Sequence, residues 1–201
     1  MHPCHDILKT LKPDFVVDLG ASDGRWSAEV TPIWPKARFI LFEPIAEYRR
    51  ARRSNWRWVS AAAGAAAGTV KLNVMGSLFG SGIYGHPGGR EVPVRTVDSE
   101  IPDHGSLFLK LDTHGYETEV LRGAAEALKR AVGLQIEVYG RRLTPTAPLA
   151  WELIHELGTH HGFRPVAWFD QLDRPGTAEL WQADVLFLRE DHPLFKTNTF
   201  Q

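Results

Sequence analysis

The sequence predicts an α/β fold with a mostly parallel sheet and helices on both of its faces. Apolar runs such as DFVVDLG, ARFILFEP and SLFLKLD have the near-continuous hydrophobicity of strands that are buried on both faces. Segments with helical patterning lie between these runs. Strands that alternate with helices along the chain form parallel sheets that the helices cover from either side.

The first half of the chain supplies these elements in alternation. Residues 4–11 are predicted as a short helix, DFVVDLG as the first strand and RWSAEVTPIW as the start of a helix. The second strand is ARFILFEP, which Pro44 ends because proline cannot donate to a ladder. IAEYRRARR is predicted as a helix and WRWVSAAAG as the third strand.

The second half begins with two extra strands, TVKLNVM and VPVRTVDS, on either side of a glycine-rich stretch. The strand SLFLKLD, the helix YETEVLRGAAEALKRA, the strand VGLQIEVY and the helix PLAWELIHELGTHHG follow, and RPVAWFDQL and ADVLFLRED are the last strands. No linker or repeat divides the chain. We expect one domain over residues 1–201, with a helical lead-in at 1–12 and a glycine-rich loop at 76–90 over the active site.

Composition narrows the choice of partners and compartment. The formal net charge is -1, so no global field attracts nucleic acid or a membrane surface, and we expect neither partner. The single cysteine excludes an internal disulfide and fits a reducing compartment. No run approaches the roughly 20 apolar residues of a membrane span. A cytoplasmic protein is therefore expected.

The turn after the first strand, VVDLGASDG, indicates a nucleotide site. Asp18, Gly20 and Gly24 form the pattern D-x-G-x-x-x-G, in which glycines let a ligand approach the backbone closely. A dinucleotide fingerprint would need G-x-G-x-x-G. An acidic residue at this turn would repel a pyrophosphate but could hold a cationic amine. The turn thus favours S-adenosylmethionine over NAD.

Glu43 ends the second strand, where a carboxylate can accept hydrogen bonds from both hydroxyls of a ribose. The structural alternative is a tight turn followed by an incidental acidic residue. Two features at the right strand ends favour the ligand site.

Several motifs, in order, resemble those of the FkbM family of class I S-adenosylmethionine-dependent methyltransferases. They are VVDLGASDGRWS, FEP, VPVRTVDS, FLKLDTHGYETEVLRGA, LQIEVY and DVLFLR. The segment that carries Lys110, Asp112, Gly115, Glu117 and Gly123 is the most specific of them. The resemblance implies a Rossmann-like sandwich with a mostly parallel seven-stranded sheet, an antiparallel terminal strand and helices on both faces.

The resemblance also implies a reaction. S-adenosylmethionine would be the cofactor and S-adenosylhomocysteine the product, and the acceptor would be a hydroxyl of a small molecule such as a sugar or a glycosylated or polyketide metabolite. One departure concerns the adenine: SAAAGAAAG offers no Asp or Asn side chain for its amino group, so backbone groups near Ala61 and Ala62 would take that role. The expected cofactor-binding residues are Asp18, Gly20, Ala21, Ser22, Gly24, Glu43, Pro44, Ala61, Ala62 and Asp112.

Lys110 and Asp112 are charges in an otherwise apolar strand. Residues i and i+2 face the same side, and Asp112 ends the strand beside the expected crevice. Asp112 is the first candidate to align or deprotonate the acceptor hydroxyl, alignment being favoured because a carboxylate is a weak base. The alternative is a helix cap. For the buried Lys110 ammonium, Glu137 of the neighbouring strand is the expected partner.

His114 is the second candidate catalytic residue, because a histidine pKa near 6.5 suits a general base. Relatives often carry another residue here, so a loop role stays open. Glu117 falls in the first turn of a helix, where the helix dipole favours a carboxylate without any function.

A divalent metal is possible but not expected; Asp112, Glu137 and Asp184 are the acids that could hold one. Other signals are assigned to structure or surface: the arginine-rich stretch RRARRSNWRW as a solvated helix face, His155, His160 and His161 as surface residues, and Trp26 and Trp34 as packing residues.

Two rival functions remain. A nitrogen-directed methyltransferase often has Asn or Asp with prolines where this chain has LDTHG. A binding module would hold the cofactor or its demethylated product without turnover, and calorimetry followed by product detection distinguishes it from an enzyme.

Overall fold

A computed structural model describes residues 4–74, 82 and 89–196. Most of the loop predicted at 76–90 lies outside the described residues. Within them, no helix is long and apolar enough to cross a membrane.

The main sheet has seven strands in the order β3-β2-β1-β7-β8-β10-β9. Strands β1, β2, β3, β7 and β8 are parallel, and β10 runs antiparallel to both of its neighbours. This confirms the predicted mostly parallel sheet with an antiparallel terminal strand. The strands are β1 (Phe15–Leu19), β2 (Arg38–Phe42), β3 (Trp56–Val59), β7 (Leu107–Leu111), β8 (Ala131–Tyr139), β9 (Phe163–Asp173) and β10 (Leu180–Arg189).

The predicted extra strands form a second sheet. It has three strands in the order β4-β6-β5, with β4 at Ala62–Ala63, β5 at Gly68–Leu72 and β6 at Arg90–Arg95. β4 is parallel and β5 antiparallel to β6.

Helices cover both faces of the main sheet, as predicted. They are α1 (Cys4–Leu8), α2 (Arg25–Val30), α3 (Glu117–Arg122), α4 (Ala125–Arg130) and α5 (Ala150–His161). One face of the sheet packs with α1 and α2 through residues such as Leu8, Val16, Trp34 and Phe108. The other face packs with α3, α4 and α5 through Leu109, Val120, Leu128 and Leu157 among others.

The prediction of a helix at IAEYRRARR is wrong. The chain there has a turn at 46–48 and otherwise irregular backbone. Ala51 shows the reason: its N–H donates to Asp23 O at 3.4 Å and its carbonyl accepts from Trp58 Nε1 at 3.1 Å. Tertiary partners thus satisfy backbone groups that a helix would have paired internally.

The single helix predicted after β7 is also wrong, because it breaks into α3 and α4 at Gly123 and Ala124. A Cβ on Gly123 would lie 2.0 Å from Gly64 O, so the two backbones touch at the break. Asp98 then caps α4, accepting from Glu126 N and Ala127 N at 2.9 Å each.

Candidate active site

The turn after β1 and the end of β7 are joined through their backbones. Gly20 has φ 85, and a Cβ there would lie 2.0 Å from the carbonyl oxygen of Asp112. Asp112 N donates to Leu19 O at 2.9 Å. Only glycine fits this left-handed, crowded position, and the joint places the predicted cofactor turn directly against Asp112.

Gly24 has a structural role in this arrangement. It precedes α2 with φ 81, and a Cβ there would lie 2.9 Å from the Trp56 ring. Ala21, another predicted residue of this turn, is buried in the core cluster that includes Val30 of α2. It also lines the cleft described below.

Glu43 binds the turn from the neighbouring strand. Its Oε2 accepts from Ser22 N at 2.9 Å, and its Oε1 accepts from Ile45 N at 2.7 Å. Burial raises the pKa of Glu43 to about 7, although both N–H groups favour the ionised form. A carboxylate has about four lone-pair sites, so each oxygen retains capacity for another hydrogen bond.

Asp18 lies beneath the turn, fully buried. Its Oδ2 accepts from Ser27 Oγ at 2.6 Å, and its neighbour in register on β7 is Lys110. Burial raises the pKa of Asp18 to about 6, and the Lys110 charge acts in the opposite direction.

Lys110 pairs with an acid, but with Asp112 and not with Glu137. Its Nζ lies 2.7 Å from Asp112 Oδ2. The sheet register explains the error: Lys110 lies opposite Gln135, while Glu137 comes two residues later along β8. Burial alone would lower the pKa of Lys110, but the charges of Asp112, Asp184 and Asp18 raise it above its usual value.

Asp112 and His114 face each other at the end of β7. Burial opposes ionisation of Asp112, yet the Lys110 and His114 charges hold its pKa at about 2. Its second oxygen, Oδ1, has no hydrogen-bond partner in the described part of the chain and lies 3.7 Å from His114 Nε2. A buried carboxylate oxygen without a partner among the described residues thus lies next to an imidazole nitrogen.

The other imidazole nitrogen of His114 is held by β8. Nδ1 lies 2.7 Å from the Tyr139 hydroxyl and 3.3 Å from Glu137 Oε2. The Tyr139 hydroxyl also donates to Glu137 Oε2, and Gln182 Nε2 donates to Glu137 Oε1 at 2.6 Å. Burial lowers the pKa of His114, but Glu137, Asp112 and Glu117 together raise it above its ordinary value.

Glu117 is fully buried at the start of α3. Its Oε1 accepts from Thr113 Oγ1 and from Gly115 N, both at 3.1 Å. These bonds tie the helix to the loop that carries His114, which fits the structural interpretation of Glu117.

Two neighbouring concavities meet at these residues. The Glu43 cavity is lined by Glu43, Pro44, Tyr48, Ala62, Leu72 and Tyr116 among others. The Trp181 cleft is lined by Trp26, Glu137, Tyr139, Leu172, Trp181 and Gln182 among others. Gly20, Ser22, Asp112 and His114 line both.

The predicted residues divide between these spaces and the core. Pro44 and Ala62 line the Glu43 cavity, as does Ala63, whereas Ala61 is buried in the core cluster. Gly82, one of the described residues of the glycine-rich loop, lines the Glu43 cavity and forms a β-bridge with Asn73.

Sequence reasoning missed Tyr139 and Gln182. Tyr139 lies two residues after Glu137 and therefore on the same face of β8, at the carboxyl end that adjoins Asp112. This signal was available in LQIEVY. Gln182 is brought in by the antiparallel pairing of β10 with β8, which local sequence does not specify.

Asp184 does not join Asp112 and Glu137 as a cation site. Its Oδ1 accepts from Gln135 Nε2 at 2.9 Å. Ligand atoms of Asp112, His114 and Glu137 do lie within 4.8 Å of one another. We assign no ion to them, because Lys110 binds one oxygen of Asp112 while donors from Tyr139 and Gln182 bind both oxygens of Glu137.

The other signals take structural or surface positions. Trp34 is buried and donates to Leu8 O and Leu11 O. Trp26 donates to Gln135 Oε1 at 3.2 Å while it lines the Trp181 cleft. Four arginines of the arginine-rich segment, Arg50, Arg52, Arg53 and Arg57, are exposed, although the segment is not helical. The three histidines lie on α5.

The methyltransferase FkbM domain matches residues 18–165. The chain belongs to the FkbM methyltransferase family. This confirms the expected family, and with it an enzyme that transfers a methyl group from S-adenosylmethionine. The match includes Asp18, Glu43, Asp112, His114 and Glu137.

Solved structures agree in fold. An rRNA methylase from Streptococcus thermophilus is 14% identical over 92% of this chain and 93% of its own, with a TM-score of 0.50. A chain of the fibrillarin/Nop5p complex is 13% identical over 92% of this chain and 79% of its own, with a TM-score of 0.51. At these identities the likeness shows the fold alone. No curated protein matches the FkbM chain significantly in sequence.

Proposed function

We propose that this FkbM methyltransferase methylates a hydroxyl oxygen of a small neutral molecule, a sugar or a glycosylated or polyketide metabolite. The observation that carries the proposal is that Asp112 Oδ1 and His114 Nε2 lie 3.7 Å apart, on residues that line both concavities; we assign both atoms as acceptors.

The Glu43 cavity fits the nucleoside end of the cofactor. Glu43 retains lone pairs for the two ribose hydroxyls, and the small side chains of Ala62 and Ala63 leave room beside it. Gly20 and Ser22 line both concavities, so the cofactor would cross there towards the Trp181 cleft. Bound S-adenosylmethionine supplies an electrophilic methyl group; the residues supply alignment and a proton acceptor.

Two acceptor atoms call for two donors. Neighbouring hydroxyls, as in a sugar, present two O–H groups from one rigid frame. We assign the hydroxyl that is methylated to His114 Nε2 and its neighbour to Asp112 Oδ1. Both contacts would hold the nucleophile in line for displacement at the methyl group.

Proton transfer falls to His114 in this scheme. The Lys110 ammonium keeps the pKa of Asp112 at about 2, so this carboxylate accepts hydrogen bonds but is too weak a base. His114 has a pKa raised from 6.5 and is the stronger base once its imidazole is neutral. Asp112 then faces the imidazolium that forms and stabilises its charge.

The Trp181 cleft supports a neutral acceptor that carries an apolar ring. Leu172 and Trp181 are exposed at its rim, at 55% and 37%, and exposed large apolar side chains beside a cleft favour ligand contact. Charged lining residues are mostly acidic, with Asp18, Asp23, Asp112 and Glu137 against Arg25 and Lys110. Such a cleft disfavours a polyanion such as RNA, whose binding depends on cationic side chains.

The experiment is a transfer assay with methyl-labelled S-adenosylmethionine and three matched acceptor sets: neutral glycosides, the corresponding amino sugars, and RNA transcripts. We expect label in glycoside ethers, with Asp112→Ala abolishing transfer while cofactor affinity measured by calorimetry is kept. Label found in amines or RNA, or glycosides left unlabelled, would overturn the proposal.

A further inference from the structure

The contacts of His114 on its Nδ1 side reach residues outside the cofactor turn and the acceptor pair. We infer that Tyr139 and Glu137 are positioning residues that keep the hydrogen of the neutral His114 ring on Nδ1. The Nε2 atom, which faces Asp112, is then unprotonated. The catalytic meaning of this inference rests on the proposed function, but the protonation state itself is a property of the resting protein.

The direction of each hydrogen bond follows from chemistry. Burial raises the pKa of Glu137, while the hydrogen bonds from His114 and Tyr139 act in the opposite direction and favour its ionised form. In that form Oε2 only accepts, so the Tyr139 hydroxyl donates its hydrogen to it. The Tyr139 oxygen is then free to accept, and His114 Nδ1 at 2.7 Å is its remaining partner. His114 must therefore carry its hydrogen on Nδ1, and in the neutral ring Nε2 has none.

The Glu137 side chain is itself fixed, so it can anchor the hydrogen bonds that run from His114 through Tyr139. Its side chain is 9% exposed, and Gln182 donates to its second oxygen at 2.6 Å. Because Gln182 belongs to β10 and Glu137 to β8, two neighbouring strands fix the carboxylate that lies beside His114 Nδ1. Fixing the orientation and hydrogen of a base by a second group is a general device of nucleophile activation.

The backbone of His114 also indicates a held residue. Its φ is 51, in the left-handed region, where a non-glycine residue is strained. Such strain persists where surrounding contacts fix the residue. The bonds to Tyr139 and Glu137 are such contacts.

Several charged groups face His114 and act on its titration. Asp112 and Glu117 lie on its own segment, Glu137 and Tyr139 on β8, and Lys110 acts through Asp112. Of these, only Glu137 and Tyr139 contact Nδ1 at hydrogen-bond distance or close to it. The hydrogen position therefore responds to these two residues specifically.

Long-range ¹H–¹⁵N correlation of histidine rings tests the inference on the resting protein, with exposed His155 as an internal reference. In the wild type at a pH where the ring is neutral, we expect the Nδ1–H form of His114. Tyr139→Phe removes the nearer acceptor of this hydrogen but leaves Glu137 Oε2, which lies 3.3 Å from Nδ1. Tyr139→Phe combined with Glu137→Leu removes both acceptors and should move the population to Nε2–H. Glu137→Gln removes a negative neighbour and should lower the His114 pKa, whereas Glu119→Gln, a carboxylate at 34% exposure on α3, should leave it unchanged.

An Nε2–H signal in the wild type would overturn the inference, and this result needs no variant to fold. An Nδ1–H population that is unchanged in the double variant would overturn it as well. A His114 resonance that shifts on addition of Mg²⁺ alone would instead make this cluster a cation site. Failure of the proposed function is distinguishable, since it would appear as absent glycoside methylation while the Nδ1–H signal persists.

Discussion

Replacing Lys110 with Met tests whether a buried ion pair holds the acceptor side of the site. The substitution keeps an apolar stem of similar length but removes the ammonium that lies 2.7 Å from Asp112 Oδ2. The carboxylate then stays in a largely buried position without its cation. Breaking a buried pair from one side is destabilising because an uncompensated charge is left behind.

The magnitude follows from the pKa of Asp112, which is about 2 in place of 3.8. One pKa unit is 1.36 kcal/mol, so the difference corresponds to roughly 2.5 kcal/mol. Because the Asp112 side chain is 30% exposed, water screens part of the interaction. We expect Lys110→Met to lower the free energy of unfolding at pH 7 by roughly 2 kcal/mol.

The deficit should depend on pH with a defined sign. In the wild type the depressed pKa of Asp112 adds stability above pH 3.8, and this is lost as pH falls through about 2. In Lys110→Met burial is no longer opposed by the ammonium, so the pKa of Asp112 rises above 3.8. The variant therefore recovers stability relative to wild type as pH falls below that raised value.

Urea unfolding at pH 7 and pH 4 measures these differences. Lys129→Met is the matched control, since Lys129 pairs with Glu126 on the surface at 68% exposure and should change stability by under about 0.5 kcal/mol. Lys110→Met combined with Asp112→Asn should be more stable than Lys110→Met alone. If Lys110→Met behaves like Lys129→Met, the buried pair does not stabilise the fold.

Three further outcomes are expected. Glu43→Ala should weaken S-adenosylmethionine binding by about 1.5–3 kcal/mol in calorimetry, the range for hydrogen bonds to a charged group, and tight NAD binding would contradict the assignment. The transfer rate should rise with pH through a pKa above 6.5. Asp112→Asn should keep part of the activity and move this rise to lower pH, because the imidazolium loses an anionic neighbour. If the rise stays at the same pH, His114 is not the base. Trp181→Ala should raise the KM for glycosides, whereas Trp168→Ala, 50% exposed on the neighbouring strand, should not, and equal effects would remove Trp181 from acceptor binding.

The elements that the sequence predicted well are those whose hydrophobic pattern is decisive. The strands that carry Asp18 and Lys110 are apolar runs buried on both faces, and their order along the chain determines a parallel sheet. Glu43 was placed at a strand end by the same pattern. Asp112 was placed beside the turn because parallel strands end at one edge.

The errors arose where distant contacts overrule local preference. The segment around Ala51 has helix-forming residues, but Asp23 and Trp58 take its backbone groups. Lys110 was paired with Glu137 because both are buried charges on adjacent strands, and the register shows that Asp112 is closer. The contacts of Ala51 are not encoded within a short stretch of sequence. The Lys110–Asp112 pair is, because the two residues lie two apart on one strand face.

The backbone joint between Gly20 and Asp112 has a consequence for altering this enzyme. The turn and the strand end cannot move apart independently, because the Gly20 position admits no side chain against the Asp112 carbonyl. In the proposed binding mode, this contact fixes the distance between the nucleoside and the reacting oxygen. New acceptors have to be accommodated on the opposite wall, where Leu172 and Trp181 lie on the exposed hairpin of β9 and β10. Diversification by laboratory evolution should concentrate its accepted substitutions on that hairpin and leave the glycine turn untouched.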